Sequence, residues 1–140
     1  MRKPSWTRRP WLAAALAVAL ASCGSSTSPD ATPSPNRTTD TFTGTLASKG
    51  TVYHPFTVGV LGQVDLTLVK TEPVATITLG MGITQTASGS CIPVPLGFNN
   101  AAVAGTVLSG TADAGMYCVI LYDVGNVADT INYTVTVTHP

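Results

Sequence analysis

From Asp40 onward the chain keeps a period of two. Val64, Leu66 and Leu68 alternate with Asp65 and Thr67. Tyr133, Val135 and Val137 alternate with Thr134, Thr136 and Thr138, and Ala75, Ile77, Leu79, Met81 and Ile83 alternate with Thr76, Thr78, Gly80 and Gly82. Successive side chains of a strand point to opposite faces, so each run has one face for a core and one for water. No stretch in this region repeats its apolar residues at helical spacing. The residue stock agrees, being rich in Thr, Val, Ala and Gly and only 10% charged, a mixture suited to strands and turns.

The spacing predicts an all-β, antiparallel sandwich of about seven to eight strands. Strands are expected at Thr41–Ala47, Thr51–Val60, Gln63–Lys70, Ala75–Ile83, Ala102–Leu108, Gly115–Val124 and Thr130–Thr138, with a short one near Ile92–Leu96. Turn residues separate them at Lys49-Gly50, Leu61-Gly62, Glu72-Pro73, Ser88-Gly89, Asn99-Asn100, Asp113-Ala114-Gly115 and Gly125-Asn126. Pro55 lacks an N–H, so its strand is an edge or carries a bulge. Met116 to Val124 is apolar on both parities. It reads either as a central strand covered by a loop tied through Cys91, or as an exposed apolar patch for a partner.

Residues ahead of this region have other work. Arg2, Lys3, Arg8 and Arg9 form a basic stretch, Trp11 to Ala21 is apolar, and Leu20-Ala21-Ser22-Cys23 follows. The apolar run is about half the ~20 residues that span a bilayer. Leu20-Ala21-Ser22-Cys23 resembles the lipobox of a bacterial lipoprotein signal peptide. That resemblance implies cleavage before Cys23, a diacylglycerol thioether and fatty acylation (palmitate) at Cys23, and a membrane anchor. Thr7-Arg8-Arg9-Pro10-Trp11-Leu12 also resembles a twin-arginine export signal, so general or twin-arginine export are both open. Gly24 stands where the familiar inner-membrane retention signal is Asp, which points to the outer membrane in a cell that has one. The expected division is a signal peptide over 1–22, the lipidated Cys23 with a Ser/Thr/Pro-rich linker over 23–39, and the β-domain over 40–140.

Beyond Cys23, three basic residues (Arg37, Lys49, Lys70) face seven acidic ones, a formal charge of −4. That excludes the basic footprint of a nucleic-acid binder. Cys91 and Cys118 remain as a pair in an oxidising compartment, and a disulfide is expected between them. Cysteine-based metal binding lacks ligands, since His54 and His139 are far apart in sequence. Gly80-Met81-Gly82 begins like a dinucleotide loop, but neither a third glycine nor an opening helix follows. No nucleophile motif is present, and His54 has inward parity, as a structural histidine would. No catalytic residue, cofactor or metal is predicted. Exposed threonine rows offer a weakly charged face, and no Trp follows Cys23, so Tyr53 and Tyr122 are the candidate stacking residues for a ligand face.

Three segments carry a further likeness. Val52-Tyr53-His54-Pro55-Phe56-Thr57-Val58 with Gly62-Gln63-Val64-Asp65-Leu66-Thr67-Leu68, then Ala114-Gly115-Met116-Tyr117-Cys118-Val119, then Asn132-Tyr133-Thr134-Val135-Thr136-Val137 resemble the bacterial pre-peptidase C-terminal domain. The resemblance implies a jelly-roll sandwich and an accessory module, often attached to secreted enzymes. Some relatives hold calcium through acidic clusters near the N-terminus. Here only Asp40 lies there, too few for a cation that wants six or more oxygens. The sequence is therefore expected to specify a non-catalytic, lipid-anchored, extracytoplasmic sandwich that binds or positions a protein or glycan partner in the envelope. A structural envelope protein packing through an exposed strand face is the second expectation. An accessory domain of a secreted hydrolase system, or itself such an enzyme, is the third.

Overall fold

The computed structural model describes residues 36–140. The predicted signal peptide, Cys23 and nearly all of the linker lie outside the described residues. Eight strands follow one another: β1 (Thr38–Leu46), β2 (Thr51–Val58), β3 (Gly62–Glu72), β4 (Leu79–Ala87), β5 (Ser90–Ala102), β6 (Val107–Ala112), β7 (Gly115–Asp123) and β8 (Ile131–His139). They form two four-stranded sheets. Sheet I has the order β1-β8-β3-β6 and sheet II the order β2-β7-β4-β5. Every neighbouring pair is antiparallel. The chain crosses between sheets at every connection except the β4–β5 hairpin, which makes the sandwich a jelly roll.

The core lies between the sheets and is built from the inward parity of each strand. Leu66 and Leu68 of β3, Val135 and Val137 of β8, Leu79 and Met81 of β4, and Val119 and Leu121 of β7 are all fully buried. β3 shows how local irregularity serves this packing. Its register shifts between Leu68 and Lys70, which leaves Val69 exposed and returns Thr71 to the interior. The Thr71 hydroxyl then donates to the carbonyl of Val74 at 2.8 Å, so its polar group is not orphaned.

Several expectations shift. β1 begins at Thr38 rather than Thr41, so the sandwich takes in residues read as linker. The strand expected over Ala75–Ile83 runs from Leu79 to Ala87. The strand expected over Ala102–Leu108 does not form there. Ala102 ends β5, a turn occupies Val103–Thr106, and β6 starts at Val107. Gly105, at φ 92°, supplies the left-handed residue that this turn needs. The expected break at Asn99-Asn100 is continuous strand, because β5 is thirteen residues long. The Ser88-Gly89 turn does form the hairpin. Both residues have positive φ, which matches the twist of the strands they join.

Cys91 and Cys118 are joined, with Cα atoms 5.8 Å apart and a sequence separation of 27. Cys91 belongs to β5, not to a covering loop, and Cys118 lies on β7. The bridge ties the start of the outermost strand of sheet II to its centre. Closing a loop of this length restricts the unfolded chain by roughly 3 to 4 kcal/mol. Replacing both cysteines by alanine should therefore lower the thermal midpoint by many degrees without changing the all-strand circular dichroism spectrum. Equal midpoints for parent and variant would contradict this.

Candidate binding face

The two outer faces of the sandwich differ in chemistry. On sheet I, β1 presents Thr39, Thr41 and Thr43 opposite Thr138, Thr136 and Thr134 of β8. Thr136 in turn faces Thr67 of β3. The Thr39 and Thr138 hydroxyls share a 2.8 Å hydrogen bond. At one end of this face Arg37 reaches across β8. Its guanidinium meets Asp65 of β3 at 2.6 Å and donates to the Thr138 carbonyl at 3.0 Å. The Ser109 hydroxyl, then Gln63 and Arg37, hold the Asp65 carboxyl below its ordinary range against the opposing effect of burial.

Sheet II has no such polar lattice. Besides the inward-facing His54 of β2, its four strands carry a single acidic or basic residue, Asp123, at the last position of β7. That carboxylate is already committed to the turn beside it. It accepts the N–H groups of Lys49, Gly125, Asn126 and Val127 at 2.7–3.0 Å. Led by the Lys49 N–H, these donors pull its pKa down to about 2.

The outward parity of sheet II is largely apolar. Tyr53 and Pro55 come from β2, Ile120 and Tyr122 from β7, and Phe98 from β5. The register lines Tyr53, Ile120, Gly82 and Phe98 in one row across the sheet. Thr51, Tyr122 and Gly80 form the next row. The two glycines of β4 make room for the rings. A Cβ on Gly80 would lie 2.2 Å from Tyr122 ring carbons, and one on Gly82 would lie 2.6 Å from Phe98 Cδ1. Tyr122 and Phe98 meet edge to face, with centroids 6.1 Å apart. The Tyr122 hydroxyl donates to Asn100 Oδ1, and burial raises its pKa further, so the phenol keeps its proton. Tyr53 remains 41% exposed and Phe98 36%.

This arrangement explains why β4 departs from simple alternation. Leu79 to Thr84 are buried on both parities, because neighbouring rings cover the glycines on the outer side. It also resolves the reading of β7. The strand is central, lying between β2 and β4. Cys118 is covered by its disulfide partner on β5, while Tyr122 and its aromatic neighbours form an accessible patch. Tyr53 and Tyr122 do fall on one face, but it is not the threonine face. Phe98 and Asn100 join them unannounced, since Asn99-Asn100 reads as a turn in the sequence. The usable signal was Gly80 and Gly82 on the outward parity of an otherwise apolar strand, a place that invites cross-strand rings.

The histidines lie at the seam between β1, β8 and β2. His54 shares a 2.7 Å hydrogen bond with the Tyr133 hydroxyl and stacks on Phe42 at 4.7 Å. Gly44 is required here, because a Cβ would sit 2.6 Å from the Tyr133 hydroxyl oxygen. His139 lies 3.2 Å from Asp40 and packs beside Phe56. The two imidazoles have separate partners, and among the described residues no group of three or more His, Cys, Asp or Glu side chains converges as metal ligands would. A separate shallow cleft opens where β5 and β6 border the core, lined by Val64, Ile83, Leu96 and Leu108.

No family model matches the sequence, and no curated protein matches it. Among solved structures, the chain is similar to the Yersinia pseudotuberculosis-derived mitogen. The identity is 17% and the TM-score 0.54, over 75% of this chain and 88% of that one. It is also similar to PliG of Aeromonas hydrophila, a periplasmic inhibitor of g-type lysozyme. There the identity is 15% and the TM-score 0.49, over 71% of this chain and 83% of that one. At such identity the likeness to the mitogen is one of fold, an all-β sandwich.

Burial lowers the His54 pKa from its ordinary 6.5. The unfolded chain then binds that proton more readily than the folded one. The contribution of the neutral imidazole is complete above about pH 6.5 and is lost as pH falls through the lower folded-state value. Urea midpoints measured from about pH 7.5 to about pH 5 should fall more steeply in the parent than in His54→Phe. Identical slopes would show that the imidazole does not titrate in this seam.

Proposed function

We propose that this chain is a non-catalytic, lipid-anchored module of the bacterial envelope that docks a partner on the outer face of sheet II. One observation supports the reading most strongly: that face brings the part-exposed rings of Tyr53 and Phe98 together with Tyr122 and Pro55, while the Arg37–Asp65 ion pair and the paired threonine rows lie on sheet I. A solvated sheet normally carries polar residues outward, and a contiguous apolar patch on a small domain is a docking feature. The imidazoles support the non-catalytic part of the reading. Each is held in the seam between the sheets and engaged by a structural neighbour, His54 by Tyr133 and Phe42 and His139 by Asp40 and Phe56.

The anchoring part rests on the lipobox-like Leu20-Ala21-Ser22-Cys23 and on the basic and apolar segments before it. Two or more acyl chains at Cys23 would make attachment stable, since each buried methylene contributes about 0.8 kcal/mol. The disulfide suits an oxidising compartment outside the cytoplasm. The three segments that resemble the pre-peptidase C-terminal domain fall on β2–β3, β7 and β8, which agrees with an accessory role beside secreted or envelope components.

Two measurements test this reading. Cys23→Ser should abolish labelling by an alkyne palmitate analogue and move the protein out of the membrane fraction; retention there without label would refute the anchor. A photoreactive amino acid placed at Phe98 should form adducts in the native envelope, whereas the same group at Thr41, on the opposite sheet, should form few. Equal adducts at both positions would refute the assignment of the docking face.

A further inference from the structure

We propose that the outer face of sheet II binds an uncharged polysaccharide, an inference that rests on this face being the docking side. The argument begins with charge. No acidic or basic side chain on β2, β4, β5 or β7 is available to a ligand on this face, because Asp123 is consumed by four backbone donors and His54, on the inward parity of β2, is engaged with Tyr133. A polyanion or an anionic lipid headgroup would need cations that these strands do not offer.

The shape of the aromatic groups narrows the choice further. Tyr122 packs down over Gly80 and Phe98 over Gly82, so the rings form a low surface and do not project as wedges. Insertion into acyl chains calls for side chains that stand out from the fold. A stable protein interface buries about 800 Å² on each partner, usually with a rim of charged and hydrogen-bonding groups. The four strands of sheet II themselves supply no free Asp, Glu, Lys or Arg to such a rim. A sugar ring, in contrast, presents an apolar C–H face and an edge of hydroxyls. The aromatic surface suits the first. Uncharged groups at its border suit the second: the exposed Tyr53 phenol, Thr51, and the Asn100 amide, whose Oδ1 is taken by Tyr122 and whose N–H groups are not used in that bond.

Spacing favours a polymer over a single sugar. Tyr53 and Tyr122 are diagonal neighbours on adjacent strands, a separation of roughly 7–8 Å. Tyr122 and Phe98 are 6.1 Å apart. The three rings thus form a track that crosses the sheet from β2 to β5, as repeating rings in an extended chain would require.

The test is affinity electrophoresis of the full chain in detergent micelles. Native gels would be cast with mixed-linkage β-glucan, galactomannan or dextran, and with alginate as the polyanion. One or more of the neutral polymers should slow the protein, and alginate should not. Tyr53→Ala and Phe98→Ala should each weaken retardation by about two- to tenfold, with the thermal midpoint as a check that the variants are folded. Thr41→Ala, on sheet I, should behave as the parent. Absence of retardation by all three neutral polymers, retardation unchanged in both aromatic variants, or equal retardation by alginate would overturn the proposal. The photoreactive group at Phe98 separates the two claims. Adducts degraded by periodate support a glycan. Adducts to protein without retardation leave the docking face standing and remove the polysaccharide, and no adducts with no retardation remove both.

Discussion

Each sheet of this sandwich is held at its centre by a strand from the end of the chain. β8 lies between β1 and β3, and β7 lies between β2 and β4. The edge strands β1 and β2 therefore have no hydrogen-bonded neighbour in their sheets until residues roughly sixty to one hundred positions later arrive. Burial of one face of each sheet against the other makes that order worth its loop-closure cost. Leu66 and Leu68 face Val137 and Val135 in register. A slip of β3 by one residue would turn both leucines toward water.

With the inner faces committed, the outer faces are free to differ. Sheet I uses threonine rows and the Arg37–Asp65 contact to stay solvated. Sheet II substitutes rings for polar groups, and it does so through two glycines. Gly80 and Gly82 contribute no side chain of their own, so Tyr122 and Phe98 from flanking strands occupy the space. The disulfide holds the start of β5 against β7 on this same sheet. Thus one sheet is a solvated wall and the other a rigid, uncharged platform.

The seam between the edges has its own logic. His54 and Tyr133 satisfy each other's polar atoms where the sheets meet, and Phe42 closes the contact from β1. Polar groups at a partly buried position must find partners or lose stability. The pairing accounts for His54, as the Asp40 contact does for His139. It also explains Gly44, which only the approach of the Tyr133 hydroxyl makes necessary.

Alternation along the chain was enough to identify an all-strand sandwich, the location of most strands, the edge position implied by Pro55 and the pairing of Cys91 with Cys118. These follow from local rules: period two selects strands, proline lacks a donor, and the β-domain holds two cysteines that can pair with each other. The extent of β5, the start of β6 and the boundaries of β4 were not legible, because Asn99-Asn100 and Ala75–Thr78 carry local signals that tertiary pairing overrides. Likewise, Tyr53 and Tyr122 could be named from residue type, but their company could not. Phe98 is distant from both in sequence, and Gly80 and Gly82 resembled a broken nucleotide loop. Only strand order brings them into two adjacent rows, since contact across a sheet depends on which strands become neighbours and in what register, and no local pattern encodes that.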